Sequence, residues 1–455
     1  MSLHSAEVES PIVPRYLPLA NGMGFLDGFE EHRAGGVVAS SDSPFGRDAV
    51  ALPSGTAQEI VRLVAQDGGH SRAILYRLGG ERTAVLLMHP RADVSSHYLV
   101  PALLDAGYAV LGAQSRYFNN DEDCRHEAVL ADVAAGLALL REHGYQHVVL
   151  LGNSGGGSLF SYYQAMAQTS PPHRHTHTPG GSPYDLNALA LPPADGLLLL
   201  ATHLGEGKFL MDQIDPSVTD EDDPLSCDDR LDMYNPANGF RRPPESSKYS
   251  QDFLERYRAA QRQRVARLDA LARQQLADSR RFTALLSEAW FASRPAEEQV
   301  ALERRAQLGR YLMIARTDAN PASCDLSLHP SQRAVGSLQG PRPDLQNYQL
   351  GYFAHCMTPE GWLSTWSGLS SRASVLDTIS VVTVPTCVLN YEADNAIFPE
   401  QAEAVARASG ASDITLRHIG GDHYGVGTED GGTSAKGRAS EVALNWLGER
   451  FPSRS

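Results

Sequence analysis

His147-Val148-Val149-Leu150-Leu151-Gly152-Asn153-Ser154-Gly155-Gly156-Gly157-Ser158 is the stretch on which the fold turns. An apolar, β-branched run stops at a Gly-x-Ser-x-Gly pentapeptide. The residues that follow, Leu159 to Met166, read as a helix. A serine between strand and helix sits on a sharp, strained turn, and its neighbours must lack Cβ atoms for the two elements to approach closely. Such a turn pushes the hydroxyl out above a sheet edge, so Ser154 is the candidate nucleophile. The competing reading is a glycine-rich loop cradling a phosphate at a helix N-terminus. No Lys follows these glycines and Gly-x-Gly-x-x-Gly spacing is absent, which disfavours it.

Outward from this turn the chain alternates strand and helix signals. Ala73 to Leu78, Thr83 to Met88, Gly107 to Gly112 and Asp195 to Ala201 are strand-like; Tyr98 to Ala106 and Glu127 to His143 read as helices, the latter with Val129, Val133, Leu137 and Leu140 on one stripe. This alternation predicts a mostly parallel central sheet with helices on both faces. Between about His203 and Ser380 nearly everything reads as helix and loop, most clearly Ser250 to Ala292 and Ala296 to Arg316; Thr358-Pro359-Glu360 has the form of a helix cap and first turn. Strand signals return at Thr386 to Asn390 and Asp413 to Ile419, followed by helices over Glu400 to Ser409 and Ala439 to Arg450. The predicted organisation is an N-terminal arm over 1–70 with a short helix near Ala57 to Ala65, an α/β core in two parts (71–202 and 381–455), and an inserted α-helical segment over 203–380.

A nucleophilic serine needs a base and an orienting acid. Glu392 and Asp394 both lie just beyond a predicted parallel strand, at the carboxyl edge of the sheet where sites form. His423 lies in the glycine-rich loop after the last strand, whereas His418 falls within that strand; Asp422 is adjacent to His423 and poorly placed to face it. The chain order Ser154, Asp394, His423 is the one expected for a nucleophile on such a turn. His423 then takes the serine proton and Asp394 holds the imidazole. The oxyanion needs two N–H donors: Gly155 offers one, and the loop after the Thr83 strand the other. Pro90 has no N–H, so Arg91 is the expected backbone donor, with His89 shaping that loop.

Taken together these residues resemble the α/β-hydrolase superfamily, over about Arg72 to Ala201 and Thr386 to Arg450. The resemblance rests on His89-Pro90 where many members have His-Gly, on Gly152 to Gly156, on Glu392-Ala393-Asp394 followed by Pro399, on His423, and on Pro101 to Val110, similar to the helix and strand after the oxyanion loop. The spacing from Asp394 to Pro399 favours Asp394 over Glu392 as the acid. The resemblance implies an α/β-hydrolase fold and hydrolysis of an ester, thioester, lactone, amide or C–C bond. It also implies that the insertion forms a cap over the nucleophile.

The 455 residues are 42% hydrophobic and 20% charged, with a formal net charge of −15, a composition ordinary for a globular protein with a large core. That acidity argues against nucleic acid or an anionic membrane as partner. Five scattered cysteines suggest neither disulfides nor a zinc site. The start of the chain lacks a signal-peptide pattern and no apolar run reaches membrane-spanning length, so a cytoplasmic location is expected. The acidic residues Asp220 to Asp223, Asp228 and Asp229, and the His173-Arg174-His175-Thr176-His177 run, read as solvated loops rather than metal sites. No metal or cofactor is expected. The Arg-rich cap helices read as a solvated face, with inward arginines holding a substrate carboxylate as the alternative. Tyr234 to Phe240 either lines a pocket or packs as a loop. The favoured reading is a serine hydrolase acting on a carboxylic ester or lactone of a small to medium organic molecule. C–C bond or amide hydrolysis and a non-catalytic ligand-binding protein are the alternatives. The arm and cap helices leave room for a homodimer.

Overall fold

In the computed structural model, which describes residues 51–349, 353, 355–427 and 432–454, eight strands form one sheet. They are β1 (Ala57–Val64), β2 (His70–Arg77), β3 (Thr83–His89), β4 (Ala109–Gln114), β5 (His147–Asn153), β6 (Gly196–Leu200), β7 (Thr386–Tyr391) and β8 (Ile414–Ile419). The spatial order is β1-β2-β4-β3-β5-β6-β7-β8. β1 pairs antiparallel with β2, and β2 antiparallel with β4; β4 and all the strands beyond it run parallel.

The central strands are buried on both faces, as a parallel sheet covered by helices requires. Every residue of β3, β6 and β7 is buried. Because successive side chains point to opposite faces, Leu86, Leu111, Leu150 and Leu199 share one core with the helices α2 (His126–Glu142) and α3 (Gly155–Gln168). Val85, Leu87, Val149, Leu151 and Leu198 share the other with α1 (Val100–Asp105) and the C-terminal helix, Ala435–Gly448.

The helix expected near Ala57 to Ala65 is instead the edge strand β1. Ile60, Val61 and Val64 are β-branched, and Asp67-Gly68 turns the chain into β2 with Ala65 N–H on the Gly69 carbonyl side of a tight hairpin: Ala65 donates to Gly69 O at 2.8 Å. The sheet therefore begins before residue 71. Of the expected N-terminal arm, residues 1–50 lie outside the described residues.

Between Leu200 and Thr386 no described residue joins the main sheet. This stretch holds α4 (Glu206–Gln213), the 36-residue α5 (Gln251–Leu286) and α6 (Ala296–Gln307). Val265, Leu268 and Ala272 of α5 pack with Leu210, Ile214, Trp362 and Trp366 in a core of their own. Ser250 caps α5 by accepting the Phe253 N–H. Arg264 and Arg316 point inward, and the protein's own groups hold both. Arg264 bonds Glu221 at 2.6 Å and the Asp215 carbonyl, and Arg316 bonds the Asp215 carboxylate at 2.6 Å. Tyr234 and Phe240 pack edge to face beside Met233 and Tyr249, as a loop packing would. Among the described residues no helix is long and apolar enough to cross a membrane. The helices after β7 and β8 are α7 (Pro399–Ala408) and α8 (Ala435–Gly448).

Candidate active site

β5 ends at Asn153 and α3 starts at Gly155, leaving Ser154 alone at the turn with φ 52° and ψ −120°. A non-glycine residue at positive φ is held there only by its surroundings. Here Ser154 N–H donates to Leu200 O of β6 at 3.0 Å, and Gly157 N–H to Ser154 O at 3.1 Å. The close crossing of strand and helix explains Gly152: a Cβ there would stand 2.5 Å from the Gly156 carbonyl and from the Gly157 Cα.

β7 delivers the candidate acid. Asp394 lies just past its end, fully buried; one oxygen accepts the Ala396 and Ile397 N–H groups at 2.8 and 2.9 Å, and the other meets His423 Nδ1 at 2.8 Å. Burial disfavours the charged imidazolium of His423, yet the charge and hydrogen bond of Asp394, with Asp422 beyond, hold its pKa above the ordinary value. The alternative carboxylates, Glu392 and Asp422, have partners elsewhere. Glu392 is bonded by the Gln332 side chain. Asp422 accepts the Tyr424 and Val426 N–H groups at 2.9 Å each, shaping the histidine's loop. His418 sits within β8, opposite Asn390.

No protein-family model matches the chain, and no curated protein does. Among solved structures, a DcsB complex with its substrate analogue is similar at 11% identity, covering 87% of this chain and 100% of that one, with a TM-score of 0.46. The α/β hydrolase GrgF from Penicillium sp. sh18 is similar at 12% identity, 87% and 99% coverage and a TM-score of 0.43. A thermophilic esterase from Thermogutta terrifontis gives 15%, 87% and 100%, with a TM-score of 0.38. The decisive observation is internal. One mostly parallel sheet carries the Ser154 turn after its fifth strand, the buried Asp394 after its seventh and His423 after its eighth, in that chain order. The chain has the α/β-hydrolase fold.

In this α/β-hydrolase fold the loop after β3 is where the second oxyanion donor was expected, at the Arg91 N–H. That N–H instead donates to His89 Nδ1 at 3.2 Å, and the Ala92 N–H does the same at 3.0 Å. The loop curls back on the imidazole at its own root, so His89 shapes it as expected while the Arg91 backbone is turned inward. The Arg91 side chain reaches Glu206 Oε1 at 3.2 Å and Asp121 at 3.0 Å, over the face of Trp366.

Glu206 and His203 went unnoticed in the sequence. Both are buried beside the turn: Glu206, in the first turn of α4, lies 3.8 Å from His89 Nε2 and 3.6 Å from His203 Nε2. Their signal was present, since Thr202-His203-Leu204-Gly205-Glu206 directly follows a buried parallel strand, the context that singled out Asp394. Burial, reinforced by the charges of His423 and Arg91, lowers the His203 pKa to about 3. Burial and then Arg91 push His89 well below its usual value as well, with His203 and His423 adding to the effect.

Proposed function

We propose that the chain is a serine hydrolase that cleaves a carboxylic ester or lactone of a small to medium organic substrate through an acyl-enzyme. The observation that carries this reading is the buried Asp394–His423 hydrogen bond at 2.8 Å, at the same sheet edge as the strained Ser154 turn. Asp394 accepts Nδ1–H, which leaves His423 Nε2 as the basic nitrogen. As Ser154 Oγ bonds to the carbonyl carbon, its proton passes to that nitrogen and the carbonyl π pair moves onto oxygen. Collapse of the tetrahedral species expels the alcohol, which takes the proton back from His423. A water molecule then repeats the sequence on the acyl-enzyme and releases the acid.

The 203–380 segment acts as a cap in this reading. Support comes from its contacts with all three loops of the site: Glu206 beside Gly155, the Ser337 carbonyl accepting Asn395 Nδ2 at 2.7 Å, and Leu338 O accepting the Tyr424 hydroxyl at 3.5 Å. An alkoxide leaves a tetrahedral carbon more readily than an amine or a carbanion, so ester or lactone cleavage asks least of the groups named above and is preferred over amide or C–C cleavage. The test is turnover of a panel of activated esters, lactones, amides and β-diketones by the purified protein and by Ser154→Ala, with fluorophosphonate labelling located by peptide mass. Ester turnover lost in Ser154→Ala together with a label on Ser154 is the expected result. Unchanged turnover in that variant overturns the mechanism, and turnover confined to diketones or amides overturns the substrate class.

A further inference from the structure

The three residues after His89 present no backbone N–H to a substrate oxygen from the expected direction. Pro90 has none, and those of Arg91 and Ala92 go to His89 Nδ1. The same two bonds settle the tautomer. A ring nitrogen that accepts carries no proton, so the proton of the neutral ring is on Nε2. Burial, the nearby Arg91 charge and the neighbouring histidines keep the ring neutral.

Nε2 has a definite place. It lies 2.7 Å from the point where a Cβ on Gly155 would stand, in a notch that exists only because residue 155 is glycine. Gly155 follows the nucleophile and opens α3, where the first N–H groups of a helix have no partner within it. A ring N–H therefore flanks the residue whose backbone N–H faces the developing oxyanion. The carboxylate of Glu206 shares the notch, 3.8 Å from Nε2 and beyond hydrogen-bonding length, with Arg91 Nε on it at 3.2 Å. Arg91 thus offsets a negative charge that would otherwise oppose an oxyanion there.

We infer that the His89 Nε2–H is the second oxyanion donor, in the role first expected of the Arg91 backbone. The inference rests on the serine-hydrolase reading above. The imidazole stays neutral throughout: it stabilises the negative oxygen by a hydrogen bond and takes part in no proton transfer, which belongs to His423.

His89→Asn separates this role from loop shaping. The Asn Oδ1 can replace Nδ1 as acceptor for the Arg91 and Ala92 N–H groups, but its amide is too short to reach the Nε2 position. The expected result is a fall in kcat of about 10²–10³, KM changed by less than about threefold, and a parallel loss of affinity for a boronic acid that forms a tetrahedral adduct with Ser154. The melting temperature of His89→Asn shows whether the loop survives; incorporating Nε2-methylhistidine at 89, which keeps Nδ1 and removes the N–H, supplies a second measurement with the same expectation. Either variant turning over within about threefold of the parent overturns the donor role. A parent protein that neither hydrolyses esters nor labels at Ser154 overturns the hydrolase reading itself, whereas a labelled, active parent with an unimpaired His89→Asn overturns the His89 inference alone.

Discussion

Asp394 grips His423 with one oxygen while its other oxygen is pinned by two backbone N–H groups of its own loop. The carboxylate therefore cannot swing away from the imidazole without abandoning both backbone donors. This makes the carboxylate a rigid fixture and leaves Nε2 as the ring nitrogen that acts as base in the proposed mechanism.

Asp394→Asn should cut kcat by about 10⁴-fold, because an amide can present its N–H to Nδ1 and stabilise the wrong tautomer. Steady-state ester hydrolysis measures it. Glu392→Gln, two residues away and held by Gln332, should leave kcat within about threefold. Equal losses in the two variants would remove Asp394 from the role of acid.

The pH dependence has two opposite signs. A base that must be neutral makes kcat/KM rise with pH through the pKa of His423, so the acid limb should have its midpoint above 6.5 and should move down in the residual activity of Asp394→Asn. For stability, the raised pKa of His423 contributes most below the unfolded value near 6.5, and that contribution is lost as pH rises through the folded value. His203 and His126 behave in the reverse way. Burial sets them at about 3 and about 4, against the opposing charge of Glu206 in the case of His126, so stability present above pH 6.5 is lost as pH falls towards those values. Melting temperature followed from pH 7 to 4 should fall, and His203→Gln should flatten the slope. A slope unchanged by His203→Gln would show that its burial does not persist in solution.

Asp215→Ala should destabilise the helical segment by about 3–5 kcal/mol, because it leaves Arg316 buried without its carboxylate. The side chains of both partners are at most 1% exposed, so solvent cannot take over the charge. Urea unfolding followed by tryptophan fluorescence reports on Trp362 and Trp366 in the same segment. Arg407→Ala, in an exposed pair with Glu403 on α7, should barely move the midpoint.

Much of the fold is local in origin and was readable along the chain. The apolar runs of β3, β5, β6 and β7 and the glycines around Ser154 are short-range patterns, and the order Ser154, Asp394, His423 can be read directly along the chain. A sharp turn or a buried strand needs particular residues within a few positions of itself. The edge strand β1 reads as a helix along the chain because a mostly exposed strand with Leu63 buried and Val61 half-buried carries a weak period, and only pairing with β2 distinguishes it from a helix. The surroundings of Ser154 were decided in three dimensions. Arg91 meets Glu206 across 115 positions and Arg316 meets Asp215 across 101. The Arg91 N–H chose the ring of His89 because the loop folds back on it. Sequence alone picked out Ser154, Asp394 and His423 as candidates; tertiary structure decided how their polar neighbours are paired, because a buried donor or charge takes whichever partner packing brings to it, however distant in the chain.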